Sequence, residues 1–161
     1  MLSRAFALRP DLGLLLIRAL VGVVFVFHGS QKLFGLFGGP GIAGFAGWLE
    51  SLGFPLPYAN AVLAGSAELV GGLALLTGVG LRVLSPALVG TMLVAAFTAH
   101  SGFDATKGGM EYPLTLAFVV AGLGLTGAGR YTLAAPFRAA TGPAASAGAA
   151  APAPALVAAS R

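Results

Sequence analysis

Apolar residues fall into four long runs, over 12–34, 58–79, 83–99 and 113–130, separated by Gly, Pro and charged positions. Each approaches the roughly 20 residues that a helix needs to cross hydrocarbon. The connection between the first two runs spans about 25 residues, long enough to carry structure of its own. It opens on the turn signal Gly38-Gly39-Pro40-Gly41, after which Ile42, Phe45, Trp48, Leu49 and Leu52 recur at helical spacing until Gly53 and Pro55 stop them. A short amphipathic helix is expected there, lying at the membrane interface or folded over the bundle mouth. From 139 to 161 the chain is Ala, Gly, Pro and Ser with no periodic face, and reads as a disordered cytoplasmic tail. The pattern therefore predicts an all-α fold: an integral membrane four-helix bundle over 1–138, with a short amphipathic interfacial helix between the first and second spans.

Composition turns that pattern into a statement about solvent. Of 161 residues 57% are hydrophobic and only 9% charged, where soluble domains carry about 25% charged residues. Too few charges exist to coat a water-exposed surface, so the lipid bilayer is the expected surrounding. The absence of cysteine removes disulfides, thiolate metal ligation, iron–sulfur clusters and thiol nucleophiles; redox chemistry would need a borrowed cofactor. The net charge of +4 is spread singly, without the basic stripe of a nucleic-acid binder, so no nucleic-acid partner is expected. Arg4 and Arg9 before an apolar stretch resemble a signal peptide, but Arg18 interrupts the stretch and no small-residue cleavage site follows. Basic residues instead orient the spans. Arg4, Arg9, Arg82, Arg130, Arg138 and Arg161 fall on one side and Lys32 and Lys107 on the other, which puts both termini in the cytoplasm.

Two charges lie where hydrocarbon should reject them. Arg18 sits in the first span and Glu68 near the centre of the second, at about 2.5–3.5 kcal/mol each if unpartnered at midspan. At 100° per residue Ala61, Ala64, Gly65, Gly71 and Gly72 share the face of Glu68. Small faces are where membrane helices approach closely, so Glu68 should point into a helix contact, and an intramembrane Arg18–Glu68 ion pair is expected. Arg18 in turn aligns with Gly22, Phe25, Gly29 and Lys32. Such a pair either fixes register and packing or marks a proton or ligand site; the sequence leaves both open.

A second cluster belongs at the outer mouth, where His28, Gln31 and Lys32 end the first span, His100, Asp104 and Lys107 follow the third, and Glu111 and Tyr112 precede the fourth. No pair has the spacing that presets metal ligands on one helix, so no metal is assigned. Glu111 before Pro113 also suits a helix N-terminus, and both lysines suit headgroups. Together, His28, Gln31, Lys32, His100, Glu111 and Tyr112 form a candidate proton-exchange or hydrogen-bonding site for a polar head such as a quinone carbonyl. No catalytic residue can be named.

These residues carry a family resemblance. Arg18 followed by FHGSQKL from Phe27 to Leu33, FAGWLESLGFPLP from Phe45 to Pro57, AELVGGLALLTGVGLR from Ala67 to Arg82, and AAFTAHSGFDATKGGMEYP from Ala95 to Pro113 are similar to the DoxX family of small four-helix bacterial inner-membrane proteins. Arg18, His28, Gly29, Gln31, Lys32, Glu68, Arg82, His100 and Glu111 fall on that family's recurrent polar positions. The resemblance implies the bacterial inner membrane and association with quinone-linked thiosulfate-oxidising or redox-stress complexes. The expected role is an accessory subunit with a bound quinone and redox partner subunits, with homo-oligomerisation left open. A small-solute or proton-coupled transporter and a purely structural scaffold are the alternatives.

Overall fold

The computed structural model describes residues 10–133. Arg4, Arg9, Arg138, Arg161 and the 139–161 tail, on which part of the orientation and domain reading rests, lie outside the described residues. Those described are helical: α1 (Pro10–Phe34), α2 (Gly41–Ser51), α3 (Pro57–Thr77), α4 (Leu81–Thr98) and α5 (Glu111–Thr126). α1, α3 and α4 are long and apolar enough to cross a membrane. α5 is apolar but has 16 residues, about 24 Å at 1.5 Å per residue against roughly 30 Å of hydrocarbon. The fourth run, expected to extend to 130, stops at Thr126 because Gly127 takes a positive φ of 84°. Likewise the second run ends at Thr77, where Gly78 turns left-handed at φ 73° and donates its N–H to Ala74 O at 2.8 Å.

α1 and α3 run antiparallel and meet along much of their length. The cause is glycine. A Cβ at Gly29 would sit 2.6 Å from the backbone nitrogen of Leu69, and one at Gly72 would sit 2.7 Å from the backbone nitrogen of Val26; only hydrogen fits at that separation. α4 and α5 form the other close pair, with Gly124 against Ser85. Phe25, Leu75, Leu88 and Val120, all at most 1% exposed, form the core from four different helices. Outward, large apolar side chains lie bare: Leu20 is 69% exposed, Val83 79% and Leu125 84%. A water-facing protein this size would not leave such a belt uncovered.

α2 resolves the choice between interface and mouth. Its Phe45, Ala46 and Leu49 are buried and pack with Ala61 of α3, so the helix folds over the end where α1 stops and α3 begins. At the opposite end the chain after α5 closes the bundle. Leu133 N–H donates to Thr77 O at 2.9 Å, and Arg130 N–H donates to Asp11 Oδ1 at 3.0 Å.

Candidate functional site

Lys32, in the last turn of α1, pairs with Glu68 of α3 through both carboxylate oxygens. Glu68 is 1% exposed and Lys32 24%. The ammonium also lies 5.3 Å from the centroid of the Phe45 ring, so α2 supplies a third contact to the same charge. One of its three N–H groups remains after the carboxylate has taken two.

The expected Arg18–Glu68 pair does not form. Arg18 is buried, but its guanidinium donates to Leu75 O at 3.2 Å and to Tyr131 O. Its Nε has no partner among the described residues. The reason is axial register. Gly29 abuts Leu69, whereas Arg18 abuts Gly78, so Arg18 and Glu68 stand about 11 residues apart in level, roughly 16 Å along the helices. Arg18 lies at the C-terminal end of α3, where carbonyls lack intrahelical donors and the helix dipole favours a cation. No Cβ fits at Gly78 beside that guanidinium.

The Lys32–Glu68 pair forms part of the wall of a cavity of about 470 Å³. α2 covers it with Phe45, Trp48 and Leu49; α3 contributes Leu63, Ala64 and Ala67; α4 contributes Ala87, Thr91 and Val94; and His100 lies at the rim just beyond α4. His100 Nδ1 is 2.8 Å from Ala95 O. A carbonyl oxygen only accepts, so Nδ1 carries hydrogen, and in the neutral ring Nε2 is then the acceptor. The walls are otherwise mostly apolar, as in a ligand cleft whose few polar groups fix one end of the ligand.

Of the six mouth residues expected from the sequence, Lys32 and His100 line this cavity. His28, Gln31, Glu111 and Tyr112 do not. His28 meets the Phe27 ring edge-on at 5.5 Å, and Gln31 Nε2 donates to Phe37 O at 3.4 Å. Glu111 and Tyr112 open α5 on the far side of the loop. Asp104 in that loop accepts from the Thr106 hydroxyl at 2.7 Å and from its amide at 3.0 Å; these bonds hold its carboxyl below the ordinary aspartate range. Sequence reading missed Phe45 as a partner of Lys32, and Asn60, Thr91 and Thr98 as wall residues. Their only signal was the helical spacing that placed Phe45 with Trp48. Among the described residues no three His, Asp or Glu side chains converge as metal ligands.

Residues 13–101 match the model of the DoxX family, a stretch that runs from α1 through α4 and includes Lys32, Glu68 and His100. No curated protein and no solved structure gives a significant match.

Proposed function

The chain belongs to the DoxX family, and from that premise we propose that it is a multi-pass subunit of the bacterial inner membrane that holds a quinone-like ligand for a redox assembly. The observation that carries the reading is the Lys32–Glu68 pair on the wall of a largely apolar cavity, with His100 at its rim. In this reading α1, α3, α4 and α5 all cross, α5 by local thinning of the bilayer, with both termini cytoplasmic and the cavity near the outer surface.

The side chains fit such a head group. Lys32 retains an N–H for a carbonyl oxygen, and Nε2 of neutral His100 can accept from a hydroxyl. Glu68 holds Lys32 in place, and Phe45, Trp48 and Leu49 keep water from one end. A bound quinone would supply two-electron, two-proton chemistry. The chain's part is to bind and orient the ring, since without cysteine it offers no thiolate-held centre, and electrons would pass to redox partner subunits.

The test is retention. The protein purified from its native membranes into nanodiscs should carry quinone in its lipid extract at near one per chain, and Lys32→Met should carry at least tenfold less. Extracts with no quinone above the background of empty nanodiscs overturn the proposal.

A further inference from the structure

We infer that the cavity fills sideways from the bilayer, through the gap between α3 and α4, and selects amphiphiles with an uncharged head against those with an anionic one. This rests on the membrane placement and ligand role proposed above, and adds the route and the head-group class.

The route follows from which wall is closed. α2 seals the end, since Phe45 and Leu49 are buried between it and α3. The side is different. Leu88 of α4 packs against Gly71 of α3, but Ala64 and Ala67 on α3 and Ala87 and Thr91 on α4 line the cavity, and side chains this small leave space between the two helices there. Leu63 and Val94 line the same cavity while 67% and 49% exposed, so this wall opens outward, onto the apolar belt that acyl chains would cover. An amphiphile can leave its tail in the lipid and insert only its head.

Head selection follows from counting donors and acceptors. Lys32 is already neutralised by Glu68. Thr91 and Thr98 spend their hydroxyl hydrogens on Ala87 O at 2.9 Å and Val94 O at 2.6 Å, and His100 spends Nδ1–H on Ala95 O. What these groups present to a ligand is mainly lone pairs: two hydroxyl oxygens, the Glu68 carboxylate and, in the neutral ring, Nε2 of His100. Donors are fewer, namely one N–H of Lys32, the indole N–H of Trp48 and the second amide hydrogen of Asn60, whose first goes to Pro55 O at 2.6 Å. A carboxylate or phosphate entering here would lose its water and find a cation already spent on Glu68 and too few donors to replace that water. A carbonyl or hydroxyl head meets partners of both kinds.

Trp48 is the sole tryptophan of the chain and lines the cavity, so its fluorescence reports occupancy. In nanodiscs of zwitterionic lipid, decylubiquinone should quench Trp48 saturably, and palmitate at tenfold excess should not displace it. Thr91→Phe, or Ala67→Leu should the first fail to fold, should weaken the apparent affinity at least tenfold by filling the gap. Gly122→Phe, on an open face of α5 with nothing within 4 Å, should leave it unchanged. Wild-type affinity in a folded gap variant overturns the lateral route, and displacement by palmitate overturns the head selection. Quenching that never saturates in any variant instead overturns the ligand reading on which both rest.

Discussion

Removing one member of the Lys32–Glu68 pair should not cost the same as removing the other. Lys32→Met leaves a carboxylate that is 1% exposed with no cation beside it, the situation for which breaking a buried pair costs about 3–5 kcal/mol. Glu68→Gln leaves a cation that is 24% exposed, keeps the Phe45 ring at 5.3 Å and gains an amide oxygen as acceptor; its loss should be about 1.5–3 kcal/mol, the scale of one hydrogen bond to a charged group. Adding Glu68→Gln to Lys32→Met removes the stranded charge and should restore part of the first loss. The cycle should therefore give a coupling of at least about 2 kcal/mol. Reversible unfolding in mixed micelles, with SDS as denaturant, measures all four proteins. Arg18→Met serves as the internal control, because at roughly 16 Å from the level of Glu68 it should combine additively with Glu68→Gln, within about 0.5 kcal/mol. Additivity at positions 32 and 68, or strong coupling at 18 and 68, would refute the register on which the site is built.

Three further outcomes follow from other contacts. Gly29→Val should destabilise by about 1–3 kcal/mol, read as a lower thermal midpoint in detergent, since its Cβ meets the backbone of Leu69; Gly90→Ala, with nothing within 4 Å, should be neutral or stabilising. Arg18→Met removes the donor to Tyr131 O and should speed tryptic cleavage after Arg130 at least about tenfold, the equivalent of about 1.4 kcal/mol and just under the roughly 1.5–3 kcal/mol of a hydrogen bond to a charge; an unchanged rate would mean that Arg18 does not hold the 127–133 segment. In the cysteine-free chain, a membrane-impermeant thiol reagent should label Lys107→Cys from outside and Arg82→Cys only from inside, and the reverse pattern overturns the orientation.

Azimuth was legible in the sequence and axial register was not. The 3.6-residue period placed Arg18, Gly22, Phe25, Gly29 and Lys32 on one face of α1, and of these Arg18, Gly22, Phe25 and Gly29 are buried. It also placed Ala61, Ala64, Gly65, Gly71 and Gly72 beside Glu68, and all are buried except Ala64, which is half-buried on the cavity wall. Arg18 and Lys32 lie 14 residues apart, almost four whole turns, so a helical wheel superimposes them. Which cation meets Glu68 depends on how far α3 slides along α1. That offset is set by the 35–56 connection and by where a glycine on one helix finds the other's backbone.

The same limit explains why the cavity escaped notice while Lys32, Glu68 and His100 on its wall did not. In water, burial separates apolar from polar residues, and periodicity then reveals the inner face. In lipid, an outward leucine and an inward leucine are equally apolar, and only small residues or charges distinguish a packed face from a greasy one. α3 carries both signals, and its inner face could be read. α4 presents Ala87, Thr91 and Val94 to the cavity, residues that would serve equally well against acyl chains. α3 and α4 touch where Gly71 meets Leu88, but these side chains neither fill the space beyond that contact nor repel lipid. The gap they leave is therefore visible only once both helices are in place, and whether α4 serves as a wall or as a door is decided by what enters beside Thr91.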